Sequence, residues 1–256
     1  MPTVTWRTEG AITRLTLNRP AQLNALGEDE ARDFREALRA VAREKSKVVV
    51  VEGEGKAFCA GGDLAFIEGN RKRPKAVLAP LMRRYYGSFL GLRALPQVTL
   101  AKVQGAAVGA GFCLALACDL RAVAADAKVG FNFVRLGLNP GMAAWPLARS
   151  IFGEARAREL LFLGRFFSGR QLFDWGAASA CAESAAALDE ATQALARELA
   201  GHSSSALRLL KRETALDQPL EPYLRFEARG QAETFKGADI LEGVAAVRER
   251  RPPRFR

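Results

Sequence analysis

Residues 3–18 alternate apolar and polar positions, with Leu15 and Leu17 set between polar neighbours and Glu9-Gly10 between the two arms. This pattern predicts a β-hairpin. Ala31, Phe34, Leu38 and Val41 then recur at intervals of three and four, the spacing of an amphipathic helix. Val48-Val49-Val50-Val51 is apolar and β-branched throughout, as expected of a strand covered on both faces. It runs into a glycine-loaded loop over 52–64, and the polar, basic stretch 66–79 reads as a mobile cover. The pattern next predicts a helix over 81–95, a strand over 98–103, a glycine turn over 105–111, a helix of small residues over 112–118 and a strand over 120–124. Strands alternating with helices indicate a parallel α/β layout. After about residue 142 the strand pattern fades. Helical periodicity covers 143–152, 154–163, 169–175, 188–200, 203–216, 220–236 and 239–250. The expected organisation is an α/β core over 1–195 followed by a helical region over 196–256.

Composition narrows the classes of function. Apolar residues make up 49% of the 256 and charged residues 26%, the balance of a globular chain with a sizeable core. No run approaches the roughly 20 apolar residues of a membrane span. The opening Met1-Pro2-Thr3-Val4-Thr5-Trp6-Arg7 lacks the basic and apolar blocks of a signal peptide. A cytoplasmic protein with no membrane partner is expected. The four cysteines (Cys59, Cys113, Cys118, Cys181) contain no C-x-x-C pair, so no disulfide framework or metal site is expected. One histidine, His202, leaves little room for Ser-His-Asp catalysis or a multi-histidine metal centre. Lys+Arg 38 against Asp+Glu 28 gives a net charge of +10, which favours anionic partners such as a phosphorylated cofactor or an acidic carrier protein. The densest basic runs are Arg71-Lys72-Arg73-Pro74-Lys75 and Arg248-Glu249-Arg250-Arg251-Pro252-Pro253-Arg254. Neither carries a nucleic-acid-binding motif, and no nucleic-acid partner is expected.

The chemistry is concentrated in the two glycine turns that follow strands. Glycine lets backbone N–H groups approach a ligand closely. A turn after Ala60-Gly61 can aim the N–H of Gly62 outward. The turn Gly109-Ala110-Gly111 opens a helix, whose first N–H groups lack helical partners and carry the positive end of its dipole. Two such donors meeting at one oxygen would form an oxyanion hole. Neither turn matches G-x-G-x-x-G or the Walker lysine pattern, and either one alone is equally readable as a tight strand-to-helix turn.

Taken in order, the motifs resemble the crotonase (enoyl-CoA hydratase/isomerase) superfamily over nearly the whole chain. They are Leu17-Asn18-Arg19-Pro20 with Asn24-Ala25-Leu26, Ala57 through Leu64, Gly105 through Asp119, Leu136 through Gly141, and Glu242-Gly243 through Pro252. The resemblance implies a spiral of β-β-α units, followed by helices that form a homotrimer or a hexamer. It also implies an acyl-CoA thioester as ligand, with coenzyme A entering as part of the substrate and no separate cofactor. The N–H groups of Gly62 and Ala110 would then hold the thioester oxygen of an enolate. Gln22, Ala25, Ala60, Gly61, Asp63 and Leu64 fall on the segments that contact the thioester and its carrier. Arg250 falls where a basic residue reaches CoA phosphate, and is otherwise a surface arginine.

Acid–base residues select the reaction in such a site. The resemblance places one hydratase glutamate two residues after Gly111 and the other four residues before Gly137. These positions hold Cys113 and Phe133. The aspartate that some isomerases carry after the Leu-x-Pro proline is replaced by Gly141. Phenylalanine and glycine cannot move a proton, which makes ordinary hydration doubtful. Cys113 remains as a catalytic candidate, with a buried packing role as its alternative. Asp63 reads as a brace of its turn, while Glu68 and Asn70 could swing inward from the cover. Phe131, Phe133, Met142 and Trp145 supply apolar bulk. The leading expectation is a lyase or isomerase that stabilises an acyl-CoA enolate. The alternatives are decarboxylation of a carboxylated acyl-CoA or acyl-carrier-protein thioester, and a thioester-binding protein with little activity.

Overall fold

The computed structural model describes residues 2–216, 220–237 and 239–251. The expected hairpin is present: β1 (Val4–Glu9) and β2 (Ile12–Leu17) pair antiparallel, and Gly10 turns between them at φ +58°. α1 (Glu28–Val41) buries Ala31, Phe34, Leu38 and Val41, the residues spaced three and four apart. β3 (Val48–Gly53) lies parallel between β2 and β5 (Val98–Val103). With β7 (Leu120–Ala124) and β10 (Ala180–Ala182) they form a six-stranded sheet ordered β1-β2-β3-β5-β7-β10. Val49 and Val51 of β3 enter the main core. Val48 and Val50 meet Leu100 and Ala196 on the other face, beneath α7 (Ala185–Ala200). Cover on both faces explains the unbroken run of valines.

A second sheet contains β4 (Ala57–Cys59), β6 (Ala106–Val108), β8 (Lys128–Gly130) and β9 (Phe166–Ser168), in that order. The pairs β3–β4, β5–β6 and β7–β8 each place one strand in the large sheet and the next in the small one. Helices follow each pair: α2 (Leu64–Asn70) and α3 (Lys75–Leu90), then α4 (Ala110–Ala117), then α5 (Ala144–Leu163). This is the β-β-α spiral that the resemblance implied.

The structure departs from the sequence pattern in three places and follows it in a fourth. The stretch 66–79 is largely helical rather than a loose cover, because Asp63 caps α2 and α3 starts at Lys75, ahead of the expected 81. Strands do not end near 142: β9 and β10 flank α6 (Gly169–Asp174), each too short to display an alternation. The two helical stretches expected over 143–152 and 154–163 are both present within α5, separated at Gly153, whose backbone (φ +74°, ψ 167°) is not helical. The expected boundary at 195 falls inside α7, whose Ala196 and Leu199 pack against the large sheet. Beyond it lie α8 (Ser204–Leu216), α9 (Leu220–Thr234) and α10 (Asp239–Arg248), and the basic tail past Arg251 is outside the described residues. Among the described residues no helix is long and apolar enough to cross a membrane.

Candidate active site

β4 and β6 are parallel neighbours, pairing Ala57 with Ala106 and Cys59 with Ala107. The turns that leave their carboxyl ends are therefore set side by side. Contact between them is close enough to require glycine. Gly61 sits at φ +102°, and a Cβ there would stand 2.6 Å from the Val108 carbonyl oxygen. A Cβ on Gly111 would collide with the carbonyl oxygen of Cys59.

The segment before α1 is fastened to the first turn through its backbone. Ala60 N donates to Leu23 O (2.9 Å), Leu26 N to Gly61 O (2.7 Å) and Asp63 N to Leu26 O (2.8 Å). Asn24 secures the other side: its Nδ2 donates to Glu54 O and Ala57 O, and its Oδ1 accepts from Arg19 N. Leu23 and Asn24 both take left-handed backbone, at φ +51° and +56°. The Asn-Ala-Leu motif thus acts as a clip. Asparagine is well suited to a left-handed position from which its amide reaches neighbouring backbone. Asp63 braces the same turn, as its sequence position suggested. Its Oδ1 accepts from Ala65 N (2.8 Å), and its Oδ2 lies 3.2 Å from Arg19 Nη1, which also meets Glu30 Oε2 at 2.9 Å.

A cavity of about 440 Å³ opens where these pieces meet. Gly62 and Ala110 both line it, and among the described residues neither N–H donates a hydrogen bond. Ala110 is the first residue of α4, where helical N–H groups have no partner within the helix. Of the other expected site residues, Gln22, Ala25, Ala60, Asp63, Leu64 and Phe133 also line the cavity. Gly61, Cys113, Gly141 and Arg250 do not. Gly61 lies beneath the turn, and Arg250 is exposed past the end of α10 at φ +54°.

The three acid positions are filled differently from a hydratase. Cys113 is fully buried, with its Sγ 3.7 Å from the Gly141 carbonyl oxygen, so it packs behind the cavity wall instead of facing the cavity. Phe133 supplies apolar wall. At Gly141, a Cβ would stand 2.5 Å from Tyr86 Oη and 2.6 Å from Gln231 Nε2, so these two polar heads take the volume of an aspartate side chain. The candidates on α2 do not reach the cavity. Glu68 is paired with Arg248 of α10, and Asn70 donates to Phe66 O. Met142 joins Phe133 in the lining, while Trp145 lines a separate groove and Phe131 is buried in the core.

Among the described residues Asp63 is the only carboxylate that lines the cavity, and no lysine, arginine or histidine does. Burial pushes the Cys59 thiol up to about 12, and pushes the Tyr85 hydroxyl well above its ordinary value while that group donates to Leu26 O. Both groups are protonated at neutral pH. Sequence reasoning missed Tyr85, Tyr86, Asn132 and Gln231, all of which line the cavity. Tyr85, Tyr86 and Gln231 lie in helices read only for periodicity, and no motif marked any of the four.

A β-β-α spiral with a ligand-sized apolar cavity at the carboxyl ends of neighbouring parallel strands defines a crotonase-type α/β protein. The chain belongs to the enoyl-CoA hydratase/isomerase family, whose model matches residues 7–256. It is 35% identical over 256 residues to a putative enoyl-CoA hydratase of Thermus thermophilus, covering 96% of this chain and 98% of that protein. It is 33% identical over 251 residues to the 1,2-epoxyphenylacetyl-CoA isomerase of Escherichia coli, covering 96% and 95%. The structure of an enoyl-CoA hydratase from Mycobacterium avium subsp. paratuberculosis matches with a TM-score of 0.86 at 26% identity, covering 99% of this chain and 98% of that one.

Proposed function

We propose that the chain acts on an acyl-CoA thioester and stabilises its enolate by hydrogen bonds from the N–H groups of Gly62 and Ala110. One observation carries this reading: two unpaired N–H groups, on turns that touch each other, line the same cavity. Backbone donors without a protein partner are met by water or by a ligand, and a substrate oxygen entering this cavity takes that place. Donors fixed in place before charge develops stabilise an oxyanion without reorganisation. Ile67, Met82, Leu136, Met142 and Phe235 give the acyl group an apolar lodging. In this reading the Gln22–Leu26 clip contacts coenzyme A, and Arg250, exposed past the end of α10, meets its phosphate as a bidentate cation. The acting form in this proposal is a homotrimer or hexamer, and sedimentation at micromolar concentration checks it.

A second reading concerns the reaction, and the empty acid positions favour it. Decarboxylation of a carboxylated acyl thioester generates the enolate without a protein base. Asp63, the one described carboxylate of the lining, is already engaged by the α2 N-terminus and Arg19. The thioester would be carried on coenzyme A or, given the charge of +10, on an acidic carrier protein. The test compares hydration of crotonyl-CoA with carbon dioxide release from a carboxylated acyl-CoA. Slow hydration with measurable decarboxylation is expected. Hydration at the rate of an ordinary hydratase would refute the decarboxylation reading, and absence of turnover on every thioester would leave a binding protein.

A further inference from the structure

Positive charge gathers at the carboxyl end of α4, the end remote from the oxyanion turn. A recess of about 170 Å³ opens there and shares no lining residue with the acyl cavity. Its described lining sets Arg93, Arg121 and Lys211 against one carboxylate, Asp119. Two of the three cations are engaged within the fold. Lys211 is buried, lies 2.9 Å from Asp119 Oδ2 and donates to Gln97 O. Arg121 is buried as well, and its guanidinium donates to Ala177 O (2.6 Å) and to Cys118 O (2.8 Å), which offsets the negative end of the α4 dipole. Arg93 differs. It is half-buried on the turn Gly91–Ala94, and among the described residues its guanidinium meets no carboxylate and no hydrogen-bond acceptor. Burial lowers that guanidinium from its ordinary value, with Asp119 opposing the shift. The Ser150 hydroxyl of α5 lines the same recess and makes no side-chain hydrogen bond among the described residues.

We propose that this recess is a second binding site, for a free oxyanion of phosphate size held by the Arg93 guanidinium and the Ser150 hydroxyl. Charge matching carries the argument. Lys211 balances Asp119, whose Oδ2 also accepts from Thr99 N and Oγ1, so that carboxylate is compensated before any anion arrives. Arg93 and Arg121 are then left without a counter-charge, and cations drawn out of water call for one. A guanidinium offers parallel N–H groups that match two oxygens of one oxyanion. Size narrows the ligand further. The recess falls below the roughly 300–1,000 Å³ of sites for larger organic ligands, and admits a single tetrahedral anion instead. The anion bridges the turn Gly91–Ala94 to α5, beside Lys211 of α8, so its binding stabilises the folded chain.

The test titrates sodium phosphate into the full chain at an ionic strength held constant with sodium chloride, and reads melting temperature and binding heat. Wild type should bind one phosphate per chain. Its melting temperature should rise and saturate, by about 3–6 °C at ten times the dissociation constant. Arg93→Met keeps an aliphatic stem and removes the charge, so saturable binding should vanish. In chloride alone this variant should melt within about 2 °C of wild type, because the guanidinium has no protein partner to lose. Ser150→Ala should weaken phosphate binding about tenfold, the loss of one hydrogen bond to a charged group. Turnover of any thioester should be unchanged in both variants, since neither residue lines the acyl cavity. A wild type without saturable phosphate binding overturns the proposal, as does a Ser150→Ala variant that binds as tightly as wild type. An equal rise in Arg93→Met overturns it in favour of an adventitious ion only. Loss of oligomer in Arg93→Met by sedimentation, with wild type indifferent to phosphate, overturns it in favour of a carboxylate from a second copy of the chain.

Discussion

Ala110→Pro separates the N–H of Ala110 from everything else the residue does. Ala110 is the first residue of α4, and proline is accepted at that position because its missing N–H has no helical partner and its φ is already helical. The preceding residue must avoid the α region, and Gly109 does so at φ +54°, ψ −117°. Fold stability should therefore change by less than about 1 kcal/mol. In a chain of this length that is a shift of roughly 2–4 °C in melting temperature. Catalysis should respond far more strongly. Losing one oxyanion donor costs about 2.7–4 kcal/mol of transition-state stabilisation, a hundred- to thousandfold loss of rate.

The assay is kcat/KM on whichever CoA thioester the wild type turns over, read beside thermal melting. Two controls isolate the donor. Ala110→Gly keeps the N–H. Gly62→Ala keeps the other N–H and adds a Cβ only 3.4 Å from Ile67 Cδ1, an ordinary contact. Both controls should stay within about tenfold of wild type, while Gly62→Pro should behave like Ala110→Pro. A fully active Ala110→Pro enzyme would refute the assignment, because no other feature of position 110 is removed by the substitution.

Three further outcomes are expected. Asp63→Ala removes the cap of α2 and one of the two partners of Arg19, so unfolding free energy should fall by about 1–2 kcal/mol in a denaturant titration, with Asp63→Asn recovering most of it. Gly111→Ala drives a Cβ into the backbone oxygen of Cys59, an atom held by the strand, and should cost about 1–3 kcal/mol or more; a melting temperature equal to wild type would show that β4 and α4 are not packed this tightly. Thiol titration of the native protein near pH 8 should find one accessible cysteine, Cys181, reacting slowly because partial burial raises its thiol too, and four after denaturation: Cys59, Cys113 and Cys118 are buried, and burial lifts the Cys59 and Cys118 thiols to about 12.

Elements whose side chains repeat were readable from the chain. The three-and-four spacing of α1 and the valine run of β3 translate directly into burial, because each residue reports the same face again. The strands of the small sheet are three residues long, which is less than two periods of alternation, so β4, β6, β8 and β9 left no pattern. The glycine turns were legible because backbone approach tolerates no side chain at Gly61 or Gly111. That Cys113 lies outside the cavity lining was not legible for a related reason. Counting from Gly111 gives the position along α4, but not whether the side chain at that position is long enough to reach the cavity. A short thiol there stops at the carbonyl of Gly141.

Gly141 links the choice of reaction to the packing of the C-terminal helices. Asn139 O accepts from Gln231, and Gly230 lies so close that a Cβ there would stand 2.6 Å from Asn139 Nδ2. Segment 137–141 and α9 therefore form one packed unit, with Gln231 directed to the space that glycine vacates. An aspartate at 141 would have to displace both Tyr86 Oη and Gln231 Nε2, so a charged base and the neutral pair are alternatives that cannot share this volume. The same argument bears on any attempt to restore a hydratase. A glutamate at 133 replaces a ring that already lines the cavity, and can reach it. A glutamate at 113 must first pass the Gly141 carbonyl that the thiol now touches, in a fully buried position where overpacking and an unpaired carboxylate both oppose it. The missing acids are thus not two independent deletions. Position 133 could be reversed by one substitution, whereas recovery at 113 requires rebuilding the contact among α4, segment 137–141, Tyr86 and α9 together.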